Sequence, residues 1–191
     1  MSTFGILAGS FKPFHKGHLN LIQQAAANNK HAVIFVSLAD RKRNNEVSIA
    51  GQDMSTIWNE HLMDIMPDNA TVSFLEGESP VRRIYSILGD AEKAMDGERY
   101  TIYSDPNDIM KNFDEDKIKL HFPNLVGNNK LEFVPIDRDG EFNISGTEMR
   151  TFLQDGDKAN FINNLPDGID KEEVWKILRK NVESQILSSM Y

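Results

Sequence analysis

Two histidines three positions apart stand in the segment Gly9-Ser10-Phe11-Lys12-Pro13-Phe14-His15-Lys16-Gly17-His18, where residue types and spacing could do chemistry. Gly9 lets the backbone turn sharply and lie close to a ligand. Gly17 removes a side chain at a helix start, where N–H groups and the helix dipole attract anions. His15 and His18 flank that start and can reach one bound group. A helix amino terminus favours the neutral imidazole, which still offers an N–H donor. This is chemistry suited to cradling phosphate. A zinc pair is the poorer reading, because the glutamate of H-E-x-x-H is missing and the chain has no cysteine to serve as a third ligand. No protein-held metal is expected. Loop chemistry alone leaves a phosphate site and an ordinary strand-to-helix turn both open.

A second cluster lies late in the chain, at Ile144-Ser145-Gly146-Thr147-Glu148-Met149-Arg150. Ser145 and Glu148 have capping-box spacing, which predicts a helix starting at Gly146. Helical side chains lean toward the amino terminus, so Arg150 can bend back over that end and offer bidentate phosphate donors beside Thr147. A capped surface helix with a solvated Arg150 is the competing reading. The run Arg41-Lys42-Arg43 is basic within an acidic chain and is a candidate seat for a second phosphate.

These residues need a scaffold that turns strands into helices. Apolar runs predict strands at Phe4–Ala8, His31–Ser37, Thr71–Leu75, Tyr100–Tyr103 and Leu131–Ile136. Leu19, Ile22, Ala25 and Ala26 recur at helical spacing between the first two, and the segments Gln52–Met66 and Val81–Met95 carry similar stripes. Trp58 reads as core. Asp105–Lys130 has little period and reads as helix or loop. The expected fold class is α/β: a Rossmann-like open parallel five-stranded sheet with helices on both faces and a C-terminal helical tail. In such sheets ligands bind at the carboxyl ends of the strands, where Gly9 and Arg41–Arg43 fall. At 191 residues and 40% hydrophobic content one domain is expected, with 1–150 as the α/β core and 151–191 as helices packed on it. The tail carries an Asp170/Glu173 capping pair and a stripe of Val174, Ile177, Leu178, Val182 and Ile186, suited to covering the core or joining subunits.

The net charge of -8 argues against a nucleic-acid partner. The chain start carries neither a signal-peptide pattern nor a membrane span, so a cytoplasmic location without membrane contact is expected. The fingerprint G-x-G-x-x-G does not occur, which counts against an NAD-dependent oxidoreductase.

The two clusters together resemble the HxGH nucleotidylyltransferase superfamily. GSFKPFHKGHLNLI is similar to its G-x-F-x-P-x-H-x-G-H signature, and Ile144–Arg150 to its I-S-x-T-x-x-R signature. The run Arg150–Pro166, with Gly156-Asp157, Phe161 and Leu165-Pro166, is similar to the tail helices of such enzymes. The likeness covers the start and end, and the middle only by topology. It implies transfer of a nucleoside monophosphate from an NTP to a small phosphorylated acceptor, with release of pyrophosphate. His15 and His18 would serve the α and β phosphates, and Ser145, Thr147 and Arg150 the β and γ phosphates. Gly9, Ser10, Phe11 and Gly17 would lie against the nucleotide.

Lys12, Arg41, Lys42 and Arg43 are the implied acceptor-binding residues. Lys12 departs from the acidic or amide residue that many members carry, and could bridge donor and acceptor phosphates. Asp105 is a candidate ribose or base contact, or simply the start of an Asp105-Pro106 turn. Mg²⁺ is expected, held mainly by the NTP phosphates. Cytidylyl members commonly show R-T-x-G-I-S-T-T, which Arg138–Ser145 does not reproduce, so ATP is favoured over CTP. Nicotinamide mononucleotide is the first acceptor to consider and phosphopantetheine the second. A CTP-using enzyme and a non-catalytic nucleotide-binding protein are the alternatives. An oligomer stays open.

Overall fold

The computed structural model describes residues 1–136 and 140–191. Its elements run β1 (Thr3–Gly9), α1 (Lys16–Asn28), β2 (His31–Ser37), α2 (Gly51–Ile57), β3 (Ala70–Leu75), α3 (Pro80–Ala94), β4 (Arg99–Ser104), α4 (Pro106–Asn112), α5 (Glu115–His121), α6 (Pro123–Gly127), β5 (Leu131–Pro135), α7 (Gly146–Asp155), α8 (Lys158–Asn163) and α9 (Lys171–Ser189). Two compact units result. The first comprises Met1–Gly9, Leu21–Ser37 and Pro67–Asp137, the second Ser10–Asn20, Leu38–Met66 and Arg138–Tyr191.

The first unit holds all five expected strands in one parallel sheet of order β3-β2-β1-β4-β5, with helices flanking it. This is the α/β Rossmann-like fold. Ile6 of the central strand stands opposite Val33 on one side and Ile102 on the other. Ile6 and Ile102 share a core with Phe35, Leu75, Ile84 and Leu88, which explains why these strands read as continuous apolar runs. The aperiodic stretch after β4 folds into three helices of seven, seven and five residues. Each is held at its start by a carboxylate. Asp105 caps α4 by accepting from the Asn107 N–H at 2.9 Å, and Asp114 caps α5. Glu92 of α3 accepts from the Asn124 and Leu125 N–H groups at 2.7 and 2.9 Å. Helices of two turns or fewer are too short to show a stripe.

In the second unit the expected helix 52–66 does not stay α-helical. After Ile57 it widens into a π-helical stretch, Trp58–Leu62, and tightens into a 3-10 turn, Met63–Ile65. The widening coincides with Trp58, fully buried, whose ring meets Phe14 at 5.0 Å and Phe11 at 6.2 Å between centroids. Helix α9 packs on α2, α7 and α8, burying Val174, Leu178 and Val182, while Ile177 and Ile186 are half-buried. Its Arg179 donates to the carbonyls of Leu153 and Gln154 at the end of α7, satisfying groups that a helix end leaves without partners.

The loop 38–50 between β2 and α2 is tied down at both ends. Lys12 Nζ donates to the Ala39 carbonyl at 2.7 Å, and Asp40 accepts from the Gly51 N–H at 2.7 Å. The Gln185 side-chain amide bonds both the N–H and the carbonyl of Ser48, at 2.9 and 2.8 Å. A Cβ on Gly51 would lie 1.9 Å from the Leu38 carbonyl oxygen, so the loop can close onto α2 only over a glycine. Gly51→Ala should therefore lower stability by about 2–4 kcal/mol in urea unfolding followed by circular dichroism. Gly89→Ala, at a helical position where an added Cβ meets no described atom within 4 Å, should not destabilise the chain.

Candidate active site

The residues from Ser10 to His18 form a tight turn into α1. Phe11 takes a left-handed backbone with φ 49° and buries its ring beside Phe14 and Trp58. That aromatic cluster carries the histidines. The His18 ring stands edge-on to Phe11 at 4.8 Å, and the His15 and His18 rings stack at 3.6 Å. The two imidazoles also cap one another's backbone: the His15 N–H donates to His18 Nδ1 at 3.2 Å, and the His18 N–H to His15 Nδ1 at 3.3 Å. An Nδ1 that accepts a hydrogen bond carries no proton, so each neutral ring bears its proton on Nε2. The spacing H-x-x-H thus builds a reciprocal cap that fixes the position of both rings.

Gly17 is also required by the packing of the turn itself. A Cβ there would lie 2.9 Å from the Phe142 carbonyl oxygen and 3.0 Å from the His15 ring, so the missing side chain makes room for the protein's own backbone and imidazole. The helix start is likewise already engaged in part, since the Lys16 N–H donates to the Asn164 carbonyl at 2.9 Å. What the turn offers a ligand is chiefly its side chains.

The late cluster has the cap its spacing predicts. Ser145 Oγ accepts from the Glu148 N–H at 3.1 Å, while Glu148 accepts from the Ser145 N–H at 2.9 Å and from its hydroxyl at 2.8 Å. Arg150 leans back over this start, donating from Nη2 to Thr147 Oγ1 at 3.1 Å. Its Nη1 donates to the Lys12 carbonyl at 2.8 Å and its Nε to Glu46 Oε2 at 2.6 Å. The competing reading of a solvated Arg150 is overturned, for the residue is 5% exposed. Gly146 allows this posture, because a Cβ there would lie 2.9 Å from Arg150 Nη1. The two clusters therefore meet directly, through the guanidinium of one and the backbone of the other.

The basic residues divide. Arg41 and Lys42 are exposed and line a hollow of about 810 Å³, whose other wall is Asn181, Ser184 and Ser188 of α9. Arg43 turns instead toward Arg150 and Glu46. Burial and the Arg150 charge lower its pKa, while Glu46 raises it. Lys12 is 7% exposed and spends its ammonium on Ala39, with Asp40 at 3.9 Å. Burial pulls its pKa below the ordinary lysine value, Asp40 opposes this, and Arg43 and Arg41 add to it. Gly9 ends β1 and Asp105 caps α4, both within the first unit.

Glu46 is the residue that sequence reasoning missed. Its signal is a lone acid just after Arg41-Lys42-Arg43-Asn44-Asn45. The Arg150 hydrogen bond, the charges of Arg150 and Arg43 and a 3.4 Å contact from the Thr147 hydroxyl hold its carboxyl below the usual range, against the opposing effect of burial. Among the described residues no group of three or more His, Cys, Asp or Glu side chains could hold a metal ion. No described helix is long and apolar enough to cross a membrane. Arg138 and Asp139, part of the stretch compared with cytidylyl members, lie outside the described residues.

The family model described as cytidylyltransferase-like matches residues 6–152. No curated protein is significantly similar in sequence. In structure the chain is similar to Plasmodium falciparum nicotinic acid mononucleotide adenylyltransferase complexed with NaAD, with TM-score 0.60 and 16% identity over 95% of this chain and 96% of that one. It is also similar to the bifunctional NMN adenylyltransferase/ADP ribose pyrophosphatase of Francisella tularensis complexed with AMP and a manganese ion. That match has TM-score 0.56 and 15% identity and covers 99% of this chain but 52% of the bifunctional one. Identities this low establish a shared fold.

A carboxylate whose pKa is depressed in the folded state adds stability above its unfolded pKa of about 4.3 and loses it as pH falls through the folded value. The stability difference between the native chain and Glu46→Gln should accordingly be constant from pH 7 to about 5 and shrink below about 4.3. Urea unfolding at a series of pH values measures it.

Proposed function

Because the chain belongs to the cytidylyltransferase-like family, we propose that it is a nucleotidylyltransferase that transfers AMP from ATP to a small phosphorylated acceptor, nicotinamide mononucleotide first among them, and releases pyrophosphate. The observation that carries this reading is the hydrogen bond between Arg150 and the Lys12 carbonyl, which brings the paired imidazoles' turn and the Thr147–Arg150 helix start into one site. Adenylyl transfer is favoured by the absence of the cytidylyl form of the second signature and by the adenylyltransferases among the similar structures.

In the proposed reaction an acceptor phosphate oxygen attacks the α-phosphorus in line. A new P–O bond forms there, the bond to the α,β-bridging oxygen breaks, and pyrophosphate leaves with that electron pair. No enzyme nucleophile is required. The protein aligns two polyanions and meets the charge that builds on the α,β-bridging and non-bridging oxygens. His15 and His18 donate from Nε2 to the α and β phosphates. Thr147 and Arg150 hold the β and γ phosphates, and Ser145 fixes the helix start that presents them. Ser10, Phe11 and Gly17 shape the wall against the nucleotide, and Arg41 and Lys42 receive the acceptor's phosphate. Arg43 and Lys12 keep the neighbouring field positive. Magnesium enters with the triphosphate as part of the substrate and neutralises its charge.

Purified protein should release pyrophosphate from ATP plus nicotinamide mononucleotide, and from CTP more slowly. His18→Ala should lower kcat by about 10²–10³-fold while circular dichroism and thermal melting show a folded chain. Nucleotide binding without pyrophosphate release across a panel of phosphorylated acceptors would instead make the protein a non-catalytic binder.

A further inference from the structure

Nothing in the transfer chemistry asks for Glu46, yet it sits on the donors assigned to the triphosphate. Its Oε2 accepts from Arg150 Nε at 2.6 Å, and its Oε1 lies 3.4 Å from the Thr147 hydroxyl. Carboxylate and phosphate oxygens are the same kind of charged acceptor for a guanidinium N–H and a hydroxyl, so they compete for one seat. The surroundings favour an anion there whichever it is, because Arg43 and Arg150 both face the position.

The donors are arranged to outlast the carboxylate. Arg150 is also held by the Lys12 carbonyl and by Thr147, so its guanidinium keeps its place when Nε changes partner. Glu46 is held less firmly. It follows the exposed residues Asn44 and Asn45, and its side chain is 26% exposed, so a change of rotamer can take it into solvent. The backbone beyond it need not move, for Val47 and Ile49 are buried and Ser48 is clamped by Gln185.

We propose that Glu46 is an internal stand-in for the triphosphate: a displaceable carboxylate that occupies the seat formed by Arg150 and Thr147 before substrate binds and leaves it when the β and γ phosphates arrive. The proposal rests on the nucleotidylyltransferase reading of this site. Glu46 acts as a positioning residue that keeps a buried guanidinium paired, and its displacement subtracts from the affinity for the polyanion. The exchange also favours ligands with enough charge to win it, a polyphosphate over a single phosphate.

Calorimetric titration with inorganic pyrophosphate and magnesium tests the idea. Glu46→Gln should bind pyrophosphate roughly tenfold more tightly than the native chain, equivalent to about 1.4 kcal/mol. Glu46→Asp, which keeps the charge but draws the carboxylate back by one methylene from Arg150, should also bind more tightly. That result separates occupancy of the seat from a simple effect of net charge. If either folded variant binds pyrophosphate no more tightly than the native chain, Glu46 is a permanent strut and the exchange is wrong. If the native chain and both variants bind no pyrophosphate or ATP at all, the reading of the site as a nucleotidylyltransferase centre fails with it.

Discussion

A guanidinium that is 5% exposed is costly to bury, and the second unit is organised around satisfying that of Arg150. Taking such a charge out of water is tolerable only when its donors are paired and a counter-charge is close. Arg150 meets both conditions with one partner from its own helix, Thr147, and two from distant segments, the Lys12 carbonyl and the Glu46 carboxylate. Removing any one would leave a buried donor unpaired. The same requirement fixes the site, because the Lys12 carbonyl belongs to the turn that presents His15 and His18. Gly146 and the Ser145–Glu148 cap belong to this arrangement too, one by giving the guanidinium room and the other by holding the helix start beneath it.

Legibility in the sequence follows the range of the interaction. The strands could be read because buried parallel strands are apolar on both faces, and the Ser145–Glu148 cap because its partners are three residues apart. The histidine pair is equally local, although its mutual capping of backbone N–H groups depends on ring stacking that spacing does not reveal. Glu46 could not be found this way, since its partner Arg150 lies 104 positions on. The helices between Asp105 and Lys130 escaped for another reason. Their capping carboxylates could be seen one by one, but five to seven residues are too few to establish a period. The π-helical stretch at Trp58–Leu62 was hidden because its apolar spacing also suits an α-helix.

The contrast between the chain's overall charge and its local charges narrows what the site can attract. A net charge of -8 opposes approach to any extended polyanion, and long-range attraction to nucleic acid needs a broad basic face. Lys12, Arg41, Arg43 and Arg150 nevertheless influence one another closely enough that burial and their mutual repulsion lower the pKa of Lys12 and Arg43. A small, concentrated ligand charge suits such a focus far better than a long, diffuse one. The field is compensated chiefly by two carboxylates, Asp40 near Lys12 and Glu46 against Arg150. These differ in what they hold. Asp40 also caps α2 through the Gly51 N–H and is committed to the fold, whereas both contacts of Glu46 are to donors that a phosphate could use equally well. The loop between β2 and α2 thus carries a structural acid and an exchangeable one six residues apart, and that division of labour lets the cations stay paired without being locked away from a ligand.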